Sequence, residues 1–207
     1  NAAKEPLYVK LVQWGIDLYG CANTGGFWPD NGGHNAGRKS ALVLAGLALN
    51  EPKILAYANA QSKSEDGFIF AEDRQTWYVT QGDVGRVMYN GDGRGRETYT
   101  QSHVGTPEWG EQHASSPNRD SSSWGAYYRN LNYVAHLAHA LSVRMTDGGM
   151  DAWNWPAFFD YMDRAWSIAQ SEMPAFPASM WRSYRNATPP TTPPGTAPSA
   201  PTGLKVE

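Results

Sequence analysis

A single cysteine, Cys21, occurs in the 207 residues. That excludes an internal disulfide framework and any multi-cysteine metal site. Charge is also scarce: 18% of residues are Asp, Glu, Lys or Arg, below the ~25% of an average globular chain. Neither sign dominates, since 17 basic and 20 acidic side chains leave a net charge of −3. The basic footprint of a general nucleic-acid binder is therefore missing, and so is the charge excess of a disordered chain. No run of ~18 apolar residues is present, so no membrane-spanning helix is expected. What the chain does have is rings and turn formers: 9 Trp, 11 Tyr, 21 Gly and 14 Pro. The length suits one good-sized domain, or one domain and a tail.

The two ends stand apart from the middle. The chain opens on Asn1 without a signal-peptide pattern, and we expect either a removed leader or further polypeptide upstream. Thr188 to Pro201 is dominated by proline and threonine. Such a stretch cannot bury a core and behaves as an extended spacer. The residues that follow it, Thr202-Gly-Leu-Lys-Val-Glu207, together with Ala197-Pro-Ser-Ala-Pro before them, resemble the first strand of a fibronectin type III module. That resemblance implies a polypeptide continuing past residue 207. Pro/Thr spacers ahead of such modules are common in secreted bacterial carbohydrate-active proteins, which places the protein outside the cytoplasm, secreted or periplasmic. The expected organisation is a helical domain over 1–187, a linker over 188–201 and the start of a second module over 202–207.

Between the ends, helical periodicity dominates. Leu7, Leu11, Trp14 and Leu18 form a stripe over 7–21, with Pro6 suited to the first turn. A Gly-rich loop over 23–33 leads into a second helix over 36–49, apolar all round from Ala41 and so expected to be buried on several sides. Pro52 to Ala60 reads as a short helix. Gln61 to Ser121 reads as irregular, with short strands near Phe68–Phe70 and Thr76–Thr80; so long a segment without helices is a natural place for a site. Ser122–Arg144 and Asp151–Glu172 read as long helices, the latter with Asn154 as cap and Pro156 in its first turn. Pro177–Asn186 reads as a last short helix. No internal repeat is evident at the residue level. The pattern fits a mainly α fold of antiparallel helical hairpins with one long irregular loop region, either a double-layered array or a bundle.

Four clusters carry chemistry. The first is Trp28-Pro-Asp-Asn-Gly-Gly-His-Asn-Ala-Gly-Arg-Lys39. Its glycines permit a tight turn before the buried helix, and His34 and Arg38, four apart, share a face. Free N–H groups at a helix start favour an anion, so His34, Asn35 and Arg38 are candidates to hold and activate a carboxylate-bearing substrate. A structural reading has Asn31 or Asn35 capping the helix and Arg38 pairing with an acid. The second cluster is Phe70-Ala-Glu-Asp-Arg-Gln-Thr-Trp-Tyr78, in which Tyr78 is a candidate proton donor and Trp77 a sugar platform, or else the segment is an ordinary β-hairpin. The third runs from Tyr99 to Asp120. His103 and His113, with Glu108 and Glu111 between them, do not match a metal-binding spacing and the His-Glu-x-x-His pattern is absent. No metal or cofactor is expected there, and a loop wall for a glycan is the better reading, with Trp109 as platform. The fourth is the helix beginning at Trp124, where Tyr128, Asn132, His136 and His139 make an uncharged polar stripe. Such a stripe lines a cleft, meets a partner, or belongs to the interior.

Taken together, the buried helix behind Gly-Gly-His-Asn-Ala-Gly-Arg-Lys, the aromatic loops and the Pro/Thr tail resemble part of an (α/α) toroid, the fold of polysaccharide lyases related to alginate, heparin and chondroitin lyases. The segments Trp14-Gly-Ile-Asp-Leu-Tyr-Gly20 and Pro107-Glu-Trp-Gly110 are also similar to segments of uncharacterised secreted bacterial proteins. The resemblance spans roughly residues 7 to 185. It implies that the chain is an incomplete toroid, the later half of a catalytic region, with another segment of the same polypeptide completing the fold. It also implies β-elimination on a uronate-containing polysaccharide: neutralise the carboxylate, remove the proton alpha to it, protonate the leaving oxygen. On this resemblance Asn35 or Arg38 neutralises, His34 is the base, and Tyr78 or Tyr128 is the acid. Trp28, Trp77, His103, Trp109, His113, Arg119 and Trp124 are the substrate-binding candidates. No Asn–His–Tyr–Arg tetrad of the family aligns with the chain. A glycoside hydrolase on the same scaffold would instead need two facing carboxyls, for which Asp17, Asp30, Glu72, Asp73, Glu108 and Asp120 are available. A non-catalytic glycan-binding or structural module also fits the exposed rings.

Overall fold

The computed structural model describes residues 4–29, 34–59, 68–89, 96–109 and 127–189. The described chain is mainly helical. α1 spans Glu5–Asn23, α2 Arg38–Leu49, α3 Pro52–Asn59, α4 Ala71–Gln75, α5 Tyr127–Arg144, α6 Gly149–Trp153, α7 Pro156–Ala169 and α8 Ala175–Tyr184. Four three-residue strands, β1 Thr76–Tyr78, β2 Val87–Tyr89, β3 Arg96–Thr98 and β4 Pro107–Trp109, interrupt the helices. None of the described helices is long and apolar enough to cross a membrane.

Helix α1 buries only part of the stripe that its large apolar residues suggest: Leu18 is in the core and Leu11 packs against it. The helix turns Val12, Gly15, Leu18 and Ala22 inward, leaving Leu7 71% and Trp14 44% exposed. The cause is small-residue contact. Gly15 sits so close to α2 that a Cβ placed on it would come 2.3 Å from the Ala41 carbonyl oxygen and 2.4 Å from the Ala45 Cβ. Close backbone approach thus outweighs burial of the bulkier stripe. On its far side α2 packs against α3, where Gly46 lies under Ile54 and Leu55. Helix α2 has Ala41, Leu42, Val43 and Ala45 entirely buried, as its uninterrupted apolar run predicts.

The helix expected over 151–172 is two helices. Pro156 has no N–H to donate and crowds the residue before it out of the helical region. Asn154, expected as an N-cap, instead ends α6 in a left-handed conformation (φ 49°), and Trp155 is the residue that precedes α7. The last helix begins two residues earlier than expected, at Ala175. Residues 68–70 form no strand, and 71–75 is a helical turn where a hairpin was one expectation.

The strands contain a repeat that the residue-level reading missed. β1 pairs antiparallel with β4 through Thr76↔Trp109 and Tyr78↔Pro107, and β2 pairs antiparallel with β3 through Tyr89↔Arg96 and Val87↔Thr98. Adding 20 to each member of the first pairing, or subtracting it, converts it into the second. Residues 76–89 and 96–109 are therefore two copies of one unit, each a strand, a single 3-10 turn (81–83 and 101–103) and a second strand. The copies exchange hydrogen bonds reciprocally: Gly85 N–H to the Tyr99 carbonyl at 2.9 Å, and Gly105 N–H to the Val79 carbonyl at 2.8 Å. Val79, Tyr99 and Trp77 form a small apolar centre of their own.

The main core lies between α2, α5, α7 and α8. Trp109, Tyr133, Trp153, Phe158, Phe159, Tyr161 and Trp181 are all within it and essentially inaccessible. Trp153 stacks on Phe158 at 4.7 Å and meets Phe159 edge-on at 5.6 Å.

The α1–α2 contact makes a direct prediction. Gly15→Ala should destabilise the fold by ~1–3 kcal/mol through overpacking, read as a lower urea midpoint. Gly20→Ala, on the same helix with open space around the position, should not lower it.

Candidate functional site

The entrance to α2 is built around Gly37. Its backbone is left-handed (φ 88°), and a Cβ there would meet the His139 ring nitrogen Nε2 at 2.6 Å. Conformation and contact both require glycine. The Gly37 N–H donates to Glu72 Oε1 at 2.9 Å. The Glu72 carboxyl thus takes one N–H of the helix start that is expected to face a substrate carboxylate. Ser40 donates to the Gly37 carbonyl at 2.7 Å and lies 3.2 Å from His139 Nδ1.

One residue into α2, Lys39 is buried. Its Nζ donates to Asp73 Oδ2 at 2.6 Å and to the Trp153 carbonyl at 2.7 Å, and lies 4.7 Å from the centre of the Trp153 ring. Lys39, Glu72 and Asp73 are each at most 2% exposed. Among the described residues Glu72 Oε2 has no hydrogen-bond partner, while the Trp153 indole lies beside the Asp73 carboxyl and favours its charged form. Burial dominates the ionisation of all three. It pushes the Glu72 carboxyl up to about 7, with the nearby Asp73 charge adding to the effect. It raises Asp73 and lowers Lys39, against their mutual attraction.

The polar stripe of α5 closes the other side. His136 is fully buried, its Nδ1–H donating to the Asn132 carbonyl at 2.8 Å, while its Nε2 has no hydrogen-bond partner among the described residues. Burial, reinforced by His139, pulls His136 down to about 3, and burial also lowers His139. The His136 ring lies 4.9 Å from Trp109 and 5.7 Å from Phe158. These are neutral interior imidazoles. Glu108, also buried, accepts from the Trp109 N–H at 2.9 Å and lies 3.5 Å from the Arg164 guanidinium.

The residues chosen from sequence are distributed around this cluster rather than gathered by it. His34 is exposed on the turn before α2, and Arg38 is half-buried beside it. The Arg38 guanidinium donates to the His34 carbonyl at 3.3 Å and makes no ion pair among the described residues. Asn35 donates to the Pro29 carbonyl at 2.5 Å and caps no helix. Trp28 is half-buried, stacked on Phe70 at 5.2 Å. Trp77 is half-buried, edge-on to Tyr99 at 6.2 Å. Tyr78, on β1, donates its hydroxyl to Asp160 on α7. Partial burial, with the Asp160 charge, holds that phenol up at about 12. His103 binds backbone within its own turn. Trp109 is wholly buried, packed between His136 and Tyr161; it offers no face to a sugar, and its role as a platform is corrected to a core role. Tyr128 lies in α5 with its side chain outside the described residues, and His113, Arg119 and Trp124 also lie outside them. Among the described residues no group of three or more His, Cys, Asp or Glu side chains is placed to hold a metal.

Sequence reasoning passed over Lys39 and Ser40 and left Glu72 and Asp73 as generic acids. The available signal was a lysine at the mouth of an all-apolar helix and an acidic pair directly after the apolar run Phe68-Ile-Phe-Ala71. Charges in such apolar surroundings are seldom left unpaired.

Two predictions follow from the cluster's burial. Lys39→Met strands Asp73 without its cation and should cost ~3–5 kcal/mol, whereas the double replacement Lys39→Met/Asp73→Leu should recover most of that loss; chemical denaturation of the three proteins checks this. Glu72 binds its proton more tightly folded, near pH 7, than unfolded, near 4.5. Its contribution to stability is complete below about 4.5 and is lost as pH rises through 7, by roughly 3 kcal/mol. His136 acts oppositely, its contribution being present above about 6.5 and lost as pH falls toward 3. The stability difference between wild type and Glu72→Gln, followed from pH 5 to pH 8, should therefore move against wild type. A flat difference would remove Glu72 as a buried titrating group. No protein-family model, curated protein or solved structure matches the chain.

Proposed function

We propose that this chain is the helical part of a secreted, polysaccharide-degrading protein, acting on a uronate-containing glycan by β-elimination. In this reading its hairpins are part of an (α/α) toroid completed by another segment of the polypeptide, and the Pro/Thr stretch leads into a fibronectin type III-like module. One observation carries it. His34 is exposed and Arg38 half-exposed, four residues apart, on a turn clamped from beneath by Glu72 and by the Lys39–Asp73 pair. An imidazole and a guanidinium on a rigid support suit binding of a carboxylate and removal of the adjacent proton. With Glu72 occupying the helix start, neutralisation of the substrate carboxylate falls to the Arg38 guanidinium rather than to the backbone N–H groups. Tyr78, whose hydroxyl donates to Asp160, carries the proton that a leaving oxygen would take.

A second reading is a glycoside hydrolase on the same scaffold, which needs two facing carboxyls within reach of the glycan; Glu72 and Asp73, at most 2% exposed, do not meet that need. Product chemistry separates the two. Incubated with a panel of uronate polysaccharides, a lyase releases fragments with an ultraviolet-absorbing unsaturated end, and His34→Ala and Arg38→Ala should each lower that rate by about 100-fold or more. A hydrolase releases reducing ends without the new absorbance. Binding to the glycan without cleavage by either criterion, in the full-length polypeptide, would reduce the domain to a glycan-binding module.

A further inference from the structure

The two copies of the duplicated unit are alike in fold and different at one functional position. Thr80-Gln81 and Val84-Gly85 recur as Thr100-Gln101 and Val104-Gly105, and between them Asp83 corresponds to His103. In the first copy Asp83 Oδ2 accepts from the Thr80 N–H at 2.8 Å and from the Thr80 hydroxyl at 2.7 Å. In the second, His103 Nδ1 stands in for that carboxylate. It accepts from the Thr100 N–H at 2.9 Å and lies 3.1 Å from the Thr100 hydroxyl, itself 2.9 Å from that of Ser102. A backbone N–H can only donate, so Nδ1 is the bare nitrogen and the ring proton is on Nε2.

We propose that the paired turns form a one-sided release, in which protonation of His103 undoes the second cap while Asp83 keeps the first. A protonated imidazole carries hydrogen on both nitrogens. It can at best donate to the Thr100 hydroxyl, which leaves the Thr100 amide facing a hydrogen instead of a lone pair. Asp83 stays an acceptor: despite partial burial, the Thr80 amide and hydroxyl and the Arg86 guanidinium hold its carboxyl below the usual range. The surroundings of His103 do not compensate for the lost cap. Its ring meets the Tyr99 phenol edge-on at 5.9 Å, no carboxylate or cation pairs with it among the described residues, and on the facing copy Asp83 and Arg86 pair with each other at 3.4 Å. The second turn holds β1 through Gly105 N–H to the Val79 carbonyl, and through the Val79 N–H to the Thr106 carbonyl at 3.0 Å. Loosening it slackens the strand carrying Tyr78 while the first turn remains formed. This holds whatever the domain's substrate.

Amide exchange by NMR on the full chain tests the proposal, with the His103 ring protons reporting its titration. As the ring protonates, the Thr100 amide, corrected for its intrinsic exchange rate, should exchange about fivefold faster, the factor equivalent to a ~1 kcal/mol cap, while Thr80 stays protected. His103→Asp should hold Thr100 protected throughout, and Asp83→His should transfer the response to Thr80. Both variants use residues that the copies already carry at this position, so the turns should still form. Equal behaviour of Thr80 and Thr100, no change at Thr100 on protonation, or an unaltered response in His103→Asp would overturn the proposal.

Discussion

The arrangement depends on one buried set of charges: Lys39 against Asp73, and Glu72 against the first free N–H of α2. An ammonium and two carboxyl groups are costly to remove from water, and only close pairing and hydrogen bonding offset the cost. That demand fixes geometry. Lys39 must reach Asp73 and the Trp153 carbonyl at once, so α2, α4 and the end of α6 can meet in one way. Glu72 must reach the Gly37 amide, so the loop entering α2 turns where it does. A wholly apolar junction would hold the same elements with less directional preference.

Around that junction the packing is graded by residue size. Small residues lie where helices cross: Gly15 on Ala41 and Ala45, Gly46 under Leu55, Gly149 against the Val143 carbonyl. Large rings fill the centre, with Trp109, Trp153 and Trp181 inaccessible. In an interior packed like an organic solid, both are matters of fit, and neither class can be exchanged for the other without strain or a void. The abundant tryptophan in this chain is thus in large part core material.

The duplicated unit solves a different problem. Two-residue or three-residue strands have little stability alone, and an isolated hairpin is marginal in water. Reciprocal pairing lets each copy supply the other's missing partner, with Gly85 and Gly105 bonded across. The result is a compact support between α4 and α5 in the sequence, whose β1–β4 pair carries Tyr78 and delivers Trp109 to the core.

Much of the helical framework was legible from sequence. The helix over 7–21, the continuous apolar run of α2 and the proline at the start of α7 each follow from local rules about spacing, burial and the missing N–H. The turn before α2 was legible only in part: Gly32 and Gly33, the glycines read for it, lie outside the described residues, and the left-handed residue at the helix entrance is Gly37, which the helix expected over 36–49 includes. The repeat was present as Thr-Gln and Val-Gly spaced 20 apart, but four matches are too few to stand out; strand register made the equivalence visible. Tertiary contact alone decided which face of α1 is buried, because Gly15 opposite Ala41 is a property of two helices together. It decided that Trp109 is core and that Lys39, Glu72 and Asp73 share one dry junction. Local sequence sets what each segment can be, whereas the partner of a buried charge or ring comes from distant positions in the chain, and only the folded arrangement brings it within reach.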